Sequence, residues 1–143
     1  MELITPESFV AGNRNGTLQM WSLSRTGALS AKGAPINGHT EEVTSLAFLD
    51  GFSLLPGAGD AVPSTIISGS RDRTVRLWRA NGNNWKESAV LQGHASEVRC
   101  VASVKEMGHI VSGVRQFFLI SLIICIILPL CECSTTITTS TEI

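Results

Sequence analysis

Three side chains in this sequence are of the types that a serine hydrolase uses: Ser68, His39 and Asp72. In such an enzyme the imidazole takes the hydroxyl proton while the carboxylate orients the ring. That chemistry also places the serine on a sharp strand-to-helix turn of the G-x-S-x-G type, where its oxygen meets substrate. Ser68 instead lies in the apolar run TIISGS, with no helical pattern after it. No residue is assigned a catalytic role, and the chain is read as not an enzyme. Cys131 and Cys133 offer two thiolates, but zinc sites generally need four ligands, and the nearest candidate, His109, lies beyond an apolar run; no metal is expected. Gly57-Ala58-Gly59-Asp60 begins like a dinucleotide fingerprint yet lacks the third glycine and the strand–turn–helix context, so it reads as loop and no cofactor is expected.

The elements that must position these groups are strands. Alternating apolar and polar residues place strands near Phe9–Ala11, Thr17–Leu23, Val43–Phe48, Thr65–Ser68, Thr74–Arg79, Ser88–Leu91, Val98–Val104 and His109–Ser112. No soluble helix is expected before residue 116. Cys100, within VRCVASV, reads as a core residue, and His109 as the start of a strand. Asn15-Gly16 reads as a type I′ hairpin turn, with Arg71-Asp72-Arg73 making the equivalent turn further on. Asn15-Gly16-Thr17 also spells a glycosylation acceptor, but MELITPESF has neither the basic start nor the apolar core of a secretion signal, so the turn is preferred. The segment 50–64 is rich in glycine and proline and reads as a long loop.

Composition sets the class. The chain has 143 residues, 43% hydrophobic and 16% charged, as a folded domain does. Its net charge of −1 offers no bulk attraction to nucleic acid or to acidic membranes. Three of its 4 cysteines fall after residue 124, unlike a disulfide framework, which points to a reducing compartment.

The chain also repeats itself. Phe9 to Trp21 aligns without gaps once Trp21 is placed on Trp78: Gly12 falls on Gly69, Thr17 on Thr74 and Leu18 on Val75. A third copy begins at Gly93-His94 and places Ser112-Gly113 on Ser68-Gly69. The stretch SGSRDRTVRLW, Ser68 to Trp78, between the pairs Gly38-His39 and Gly93-His94, resembles one blade of a WD-repeat β-propeller. The resemblance covers roughly residues 2–115. It implies an all-β fold, an incomplete β-propeller of two to three partial four-stranded blades at about 2–37, 38–92 and 93–116. It also implies a structural role for His39, Ser68, Asp72 and Trp78 as a buried hydrogen-bond chain within the second blade. The first blade departs from this pattern with Ala11 and Asn15 in place of the serine and aspartate. The third departs with Gln116 and Leu122 where an aspartate and a tryptophan are expected.

Residues 117–131 form an apolar segment and 132–143 a tail rich in serine and threonine, expected to be disordered. The apolar segment has three readings: a replaced terminus, a membrane-anchoring helix with Arg115 on the cytoplasmic side, or strands that complete the third blade. As a helix it rises about 22 Å, short of a hydrocarbon core of about 30 Å. A propeller closes with about four to eight blades, so the chain is read as a fragment, a truncated product with impaired function.

Family members are generally scaffolds, which implies other proteins or peptides as partners, no small-molecule substrate, and a cytoplasmic or nuclear location. Display on a membrane through 117–131 is the alternative. Arg71, Arg73, Arg76 and Arg79 form a basic stripe, either a solvated edge or a contact for a phosphopeptide or RNA backbone; the net charge gives nucleic acid no support. Trp85 is either a recognition aromatic at a rim or packing against the adjacent blade.

Overall fold

The computed structural model describes residues 2–5, 8–49, 65–81, 84–104, 109–115, 120–126 and 136–140. Among the described residues, twelve strands make up three four-stranded sheets. The first holds β1 (Glu2–Thr5), β2 (Ser8–Gly12), β3 (Leu18–Leu23) and β4 (Leu29–Ile36). The second holds β5 (Val43–Leu49), β6 (Thr65–Ser70), β7 (Val75–Asn81) and β8 (Asn84–Leu91). The third holds β9 (Val98–Val104), β10 (His109–Arg115), β11 (Ile120–Ile126) and β12 (Thr136–Ser140). Every sheet is an antiparallel meander in chain order, as in the blades of a β-propeller.

The sheets stack because their strands are apolar on both faces. On β6, Ile66 turns toward the first sheet and Ile67 toward the third; on β7, Trp78 turns toward the first while Val75 and Leu77 turn toward the third. One core joins Val10, Leu18, Met20 and Ile36 to Val43, Phe48, Ile66 and Trp78. The other joins Ala47, Ile67, Val75 and Leu77 to Val98, Val101, Ile110 and Val114. Burial of each large apolar side chain contributes about 1.5–3 kcal/mol. Polar groups tie the second and third sheets as well: Ser103 Oγ donates to Phe48 O at 2.5 Å, and Val101 N–H donates to Ser45 Oγ at 3.1 Å.

The turns depart from the type I′ expectation. Gly16 N–H donates to Asn13 O, and Arg73 N–H to Ser70 O, both at 3.2 Å. The left-handed residues are Gly16 (φ 81°) and Arg73 (φ 68°), and Asn15 is not one of them. Each is a three-residue loop whose last residue is left-handed. The cause is local, since Asn15 Oδ1 accepts from Thr17 Oγ1 at 2.8 Å and Asp72 Oδ1 from Thr74 Oγ1 at 2.6 Å, holding both side chains back over the turn.

β4 was not foreseen. LSAKGAPI lacks clean alternation because seven of its eight residues are exposed, and only Ile36 reaches the core. Of the three readings of the apolar segment, the described residues follow the strand reading and show no helix. Ile120–Ile126, within the segment read as a possible anchoring helix, is a strand paired to β10, and Thr136–Ser140, within the tail expected to be disordered, is a strand paired to β11. Both are rich in β-branched residues, which fit a pleated surface; β10 supplies the edge for the first and β11 the edge for the second. The third sheet therefore continues past 116. Among the described residues no helix is long and apolar enough to cross a membrane. The loop read at 50–64 lies outside the described residues.

Close packing between the second and third sheets requires Gly69. A Cβ there would stand 2.7 Å from Val98 Cγ1 and 2.9 Å from Val101 Cγ1. Gly69→Ala is expected to lower unfolding stability by about 1–3 kcal/mol. In a Val98→Ala background the same change is expected to cost less, as urea titration of the four combinations would show; strict additivity would contradict this packing.

Candidate functional site

The sequence brings His39, Ser68, Asp72 and Trp78 from three places, and the second sheet gathers them. β6 carries Ser68 with no exposed surface, β7 carries Trp78 at 1% exposure, and the turn between them carries Asp72. His39 sits in the segment between β4 and β5, its side chain fully buried. Gly38 precedes it because the Trp78 ring occupies the space that a Cβ would need.

The geometry assigns the protons. Asp72 is a carboxylate and only accepts, so His39 Nδ1–H donates to its Oδ2 at 2.8 Å. His39 Nε2 is then the acceptor for the Ser68 hydroxyl at 2.7 Å, and Ser68 Oγ accepts from Trp78 Nε1–H at 2.8 Å. Four groups that lose water on folding are thereby satisfied in one chain. Thr40 N–H adds a bond to Asp72 Oδ2 at 3.1 Å, fixing the backbone beside His39.

Electrostatics follow the same assignment. Burial lowers the His39 pKa from its ordinary 6.5, outweighing the opposing pull of Asp72, so the ring is neutral at pH 7. Burial would raise Asp72, but hydrogen bonds from the Thr74 hydroxyl, His39 and the Thr74 amide hold it down at about 2. Thr74 had no role assigned from sequence. Its alignment with Thr17 was the available signal, and both threonines bond the turn side chain two residues earlier.

The other two sheets carry the chain only in part. In the third, His94 Nε2 lies 2.8 Å from Ser112 Oγ, and burial lowers the His94 pKa, while His94 Nδ1 is buried with no acceptor among the described residues. Gln116 lies outside the described residues. Register corrects the other expected departure: Trp78 stands opposite Ile66, and the residue opposite Ile110 is Cys125, not Leu122. Ser112 pairs with Ile123 where Ser68 pairs with Arg76, so the β10–β11 hairpin pairs residues farther apart in the chain, which moves the tryptophan position along the strand. In the first sheet Trp21 stands opposite Phe9, in the same register as Trp78 opposite Ile66.

The surface residues separate into two regions. Arg71 Nη1 and Nε reach Glu42 at 3.2 Å and Glu97 at 2.9 Å, which raises the pKa of its guanidinium. Arg76 pairs with Glu87. Arg73 is exposed at the same turn as Arg71, and Arg79 is exposed on β7. The basic stripe is thus partly neutralised within the fold. Trp85 is half-buried against the core between the first and second sheets, away from that turn.

The second sheet, a four-stranded meander holding a buried Trp–Ser–His–Asp chain, has the form of a WD-repeat blade. Residues 32–79 match the family model described as WD domain, G-beta repeat, and this stretch is a WD repeat. The chain is 29% identical over 73 residues to ribosome biogenesis protein ytm1 of Aspergillus terreus, covering 51% of this chain and 13% of that protein. It is 26% identical over 102 residues to the protein of the same name from Neosartorya fischeri, covering 67% of this chain and 18% of that protein. It is 41% identical over 49 residues to component of gems protein 5 of Dictyostelium discoideum, covering 34% of this chain and 4% of that protein. The chain spans a small part of each relative.

Two predictions test this site. Ser68→Ala leaves the Trp78 N–H and His39 Nε2 without partners, at about 1–3 kcal/mol for each orphaned group. Adding Trp78→Phe should then cost less than it does in the parent, and equal costs in both backgrounds would contradict the bond. The second concerns pH. Because the folded His39 pKa lies below 6.5, the unfolded chain binds more protons in that window, and stability present above 6.5 is lost as pH falls toward the folded value. Asp72 adds a further loss between its unfolded value of 3.8 and about 2. Denaturant midpoints are expected to fall on acidification below 6.5, less steeply in His39→Asn than in the parent; parallel curves would contradict the assignment.

Proposed function

We propose that the chain is a non-catalytic protein-interaction scaffold whose WD-repeat blades present surfaces to other proteins or peptides. The observation that carries this is the state of Ser68: its oxygen has no exposed surface and is held between Trp78 and His39. This serine–histidine–aspartate set is thus spent on holding a loop to a sheet. An enzyme of this type keeps the serine oxygen open to substrate. The names of the relatives, a ribosome biogenesis protein and a component of gems, support a place in an assembly. We place that assembly in the cytoplasm or nucleus.

Two experiments test the reading. A fluorophosphonate probe is expected to leave Ser68 unlabelled in the folded chain, and labelling there would contradict the non-catalytic assignment. Proximity labelling in cells with the full chain is expected to enrich a discrete set of proteins, part of which is lost when exposed charges on the blades are reversed without loss of folding. No enrichment above a Trp78→Ala control that unfolds the second blade would overturn the scaffold role.

A further inference from the structure

Between the outer strands β4 and β8 the first and second sheets leave an open cavity of about 560 Å³. Its size falls within the range of sites that hold one or two large side chains or a small ligand. Met20, Ile36 and the edge of Trp78 line it, and Trp85 forms part of its wall. Lys32 and Lys86 also line it, both exposed, and among the described residues neither has an ion-pair partner. The carboxylate in the lining, Glu87, is already paired with Arg76. The cavity thus joins an apolar wall of Met20, Ile36 and the two tryptophans to the exposed ammonium groups of Lys32 and Lys86.

We propose that this groove binds an extended acidic peptide, seating one large apolar side chain against Trp85 and Met20 while flanking carboxylates reach Lys32 and Lys86. The charge decides the occupant. A basic segment would meet two unpaired lysines, whereas an acidic one meets opposite charge, with Glu87 compensated by Arg76. Trp85 supplies what an anchoring site needs, a rigid aromatic surface already partly packed and so with little ordering left to lose on binding. β4 adds an exposed strand alongside, so the peptide backbone has unpaired groups within reach. This site rests on the scaffold reading and gives that reading a partner chemistry.

The test uses the full chain and an array of immobilised hexapeptides, each with one leucine or phenylalanine flanked either by Asp and Glu or by Lys and Arg. The acidic set is expected to be selected. Lys32→Glu with Lys86→Glu is expected to weaken the selected peptides by about tenfold or more, and Arg73→Glu, on the turn away from the groove, to leave them within about twofold. Because both lysines are exposed, the paired change is expected to keep the parent unfolding midpoint, and Trp85→Phe serves as a milder probe of the apolar wall. Selection of basic peptides, or no selection at all, overturns the groove. Acidic binding lost through Arg73→Glu rather than through the lysine changes also overturns the groove, and leaves the scaffold reading standing with its surface elsewhere.

Discussion

A buried indole N–H, a buried hydroxyl and a buried imidazole cannot be left without partners in a small stack of sheets, and the second sheet is organised around meeting that constraint. Trp78, Ser68, His39 and Asp72 pass hydrogen bonds in one direction, from the indole to the serine and on to the neutral ring, while the ring's other nitrogen donates to a carboxylate. The consequence is positional. The segment between β4 and β5 belongs to neither sheet by pairing, yet His39 and Thr40 fix it to the β6–β7 turn. The start of β5, and with it the face that receives the first sheet, is set from there.

The second constraint is the double-faced character of β6 and β7. Each gives one set of side chains to the first sheet and the alternate set to the third, so a single sheet builds two cores. Glycine at position 69 lets the third sheet close on it, with Val98 and Val101 in the space a side chain would fill. Where the sheets part toward their outer strands, the space between β4 and β8 is left to solvent and to Trp85. Interior and groove thus share residues: Met20, Ile36 and Trp78 are buried in the core and also line the cavity.

The inner strands and the hydrogen-bond chain were legible in the sequence because both leave local marks. Alternation gave β2, β3, β5, β6, β7, β9 and β10 within a few residues, and the resemblance to a WD repeat implied the four side chains that hydrogen-bond in the second sheet. β4 left no mark, since an outer strand with one buried residue has no reason to alternate. The turn at Asn15-Gly16 was placed correctly but given the wrong geometry, because its form depends on the Thr17 hydroxyl, two residues beyond the pair. In the third sheet a gapless alignment put the tryptophan position at Leu122, whereas strand pairing puts it at Cys125; the register of the β10–β11 pairing, which a gapless alignment does not carry, decides it. Of the arginines read as a basic stripe, Arg71 and Arg76 have partners brought in by the fold, Glu42 and Glu97 for the first and Glu87 for the second.

The most direct test is nitrogen NMR of the His39 ring together with hydrogen exchange at the Trp78 indole. The account predicts a neutral ring protonated at Nδ1 at pH 7, with Nε2 accepting, and an indole N–H protected to the level of the global unfolding of its sheet. A ring that carries its proton on Nε2 or titrates near 6.5, alongside a rapidly exchanging indole, would contradict it.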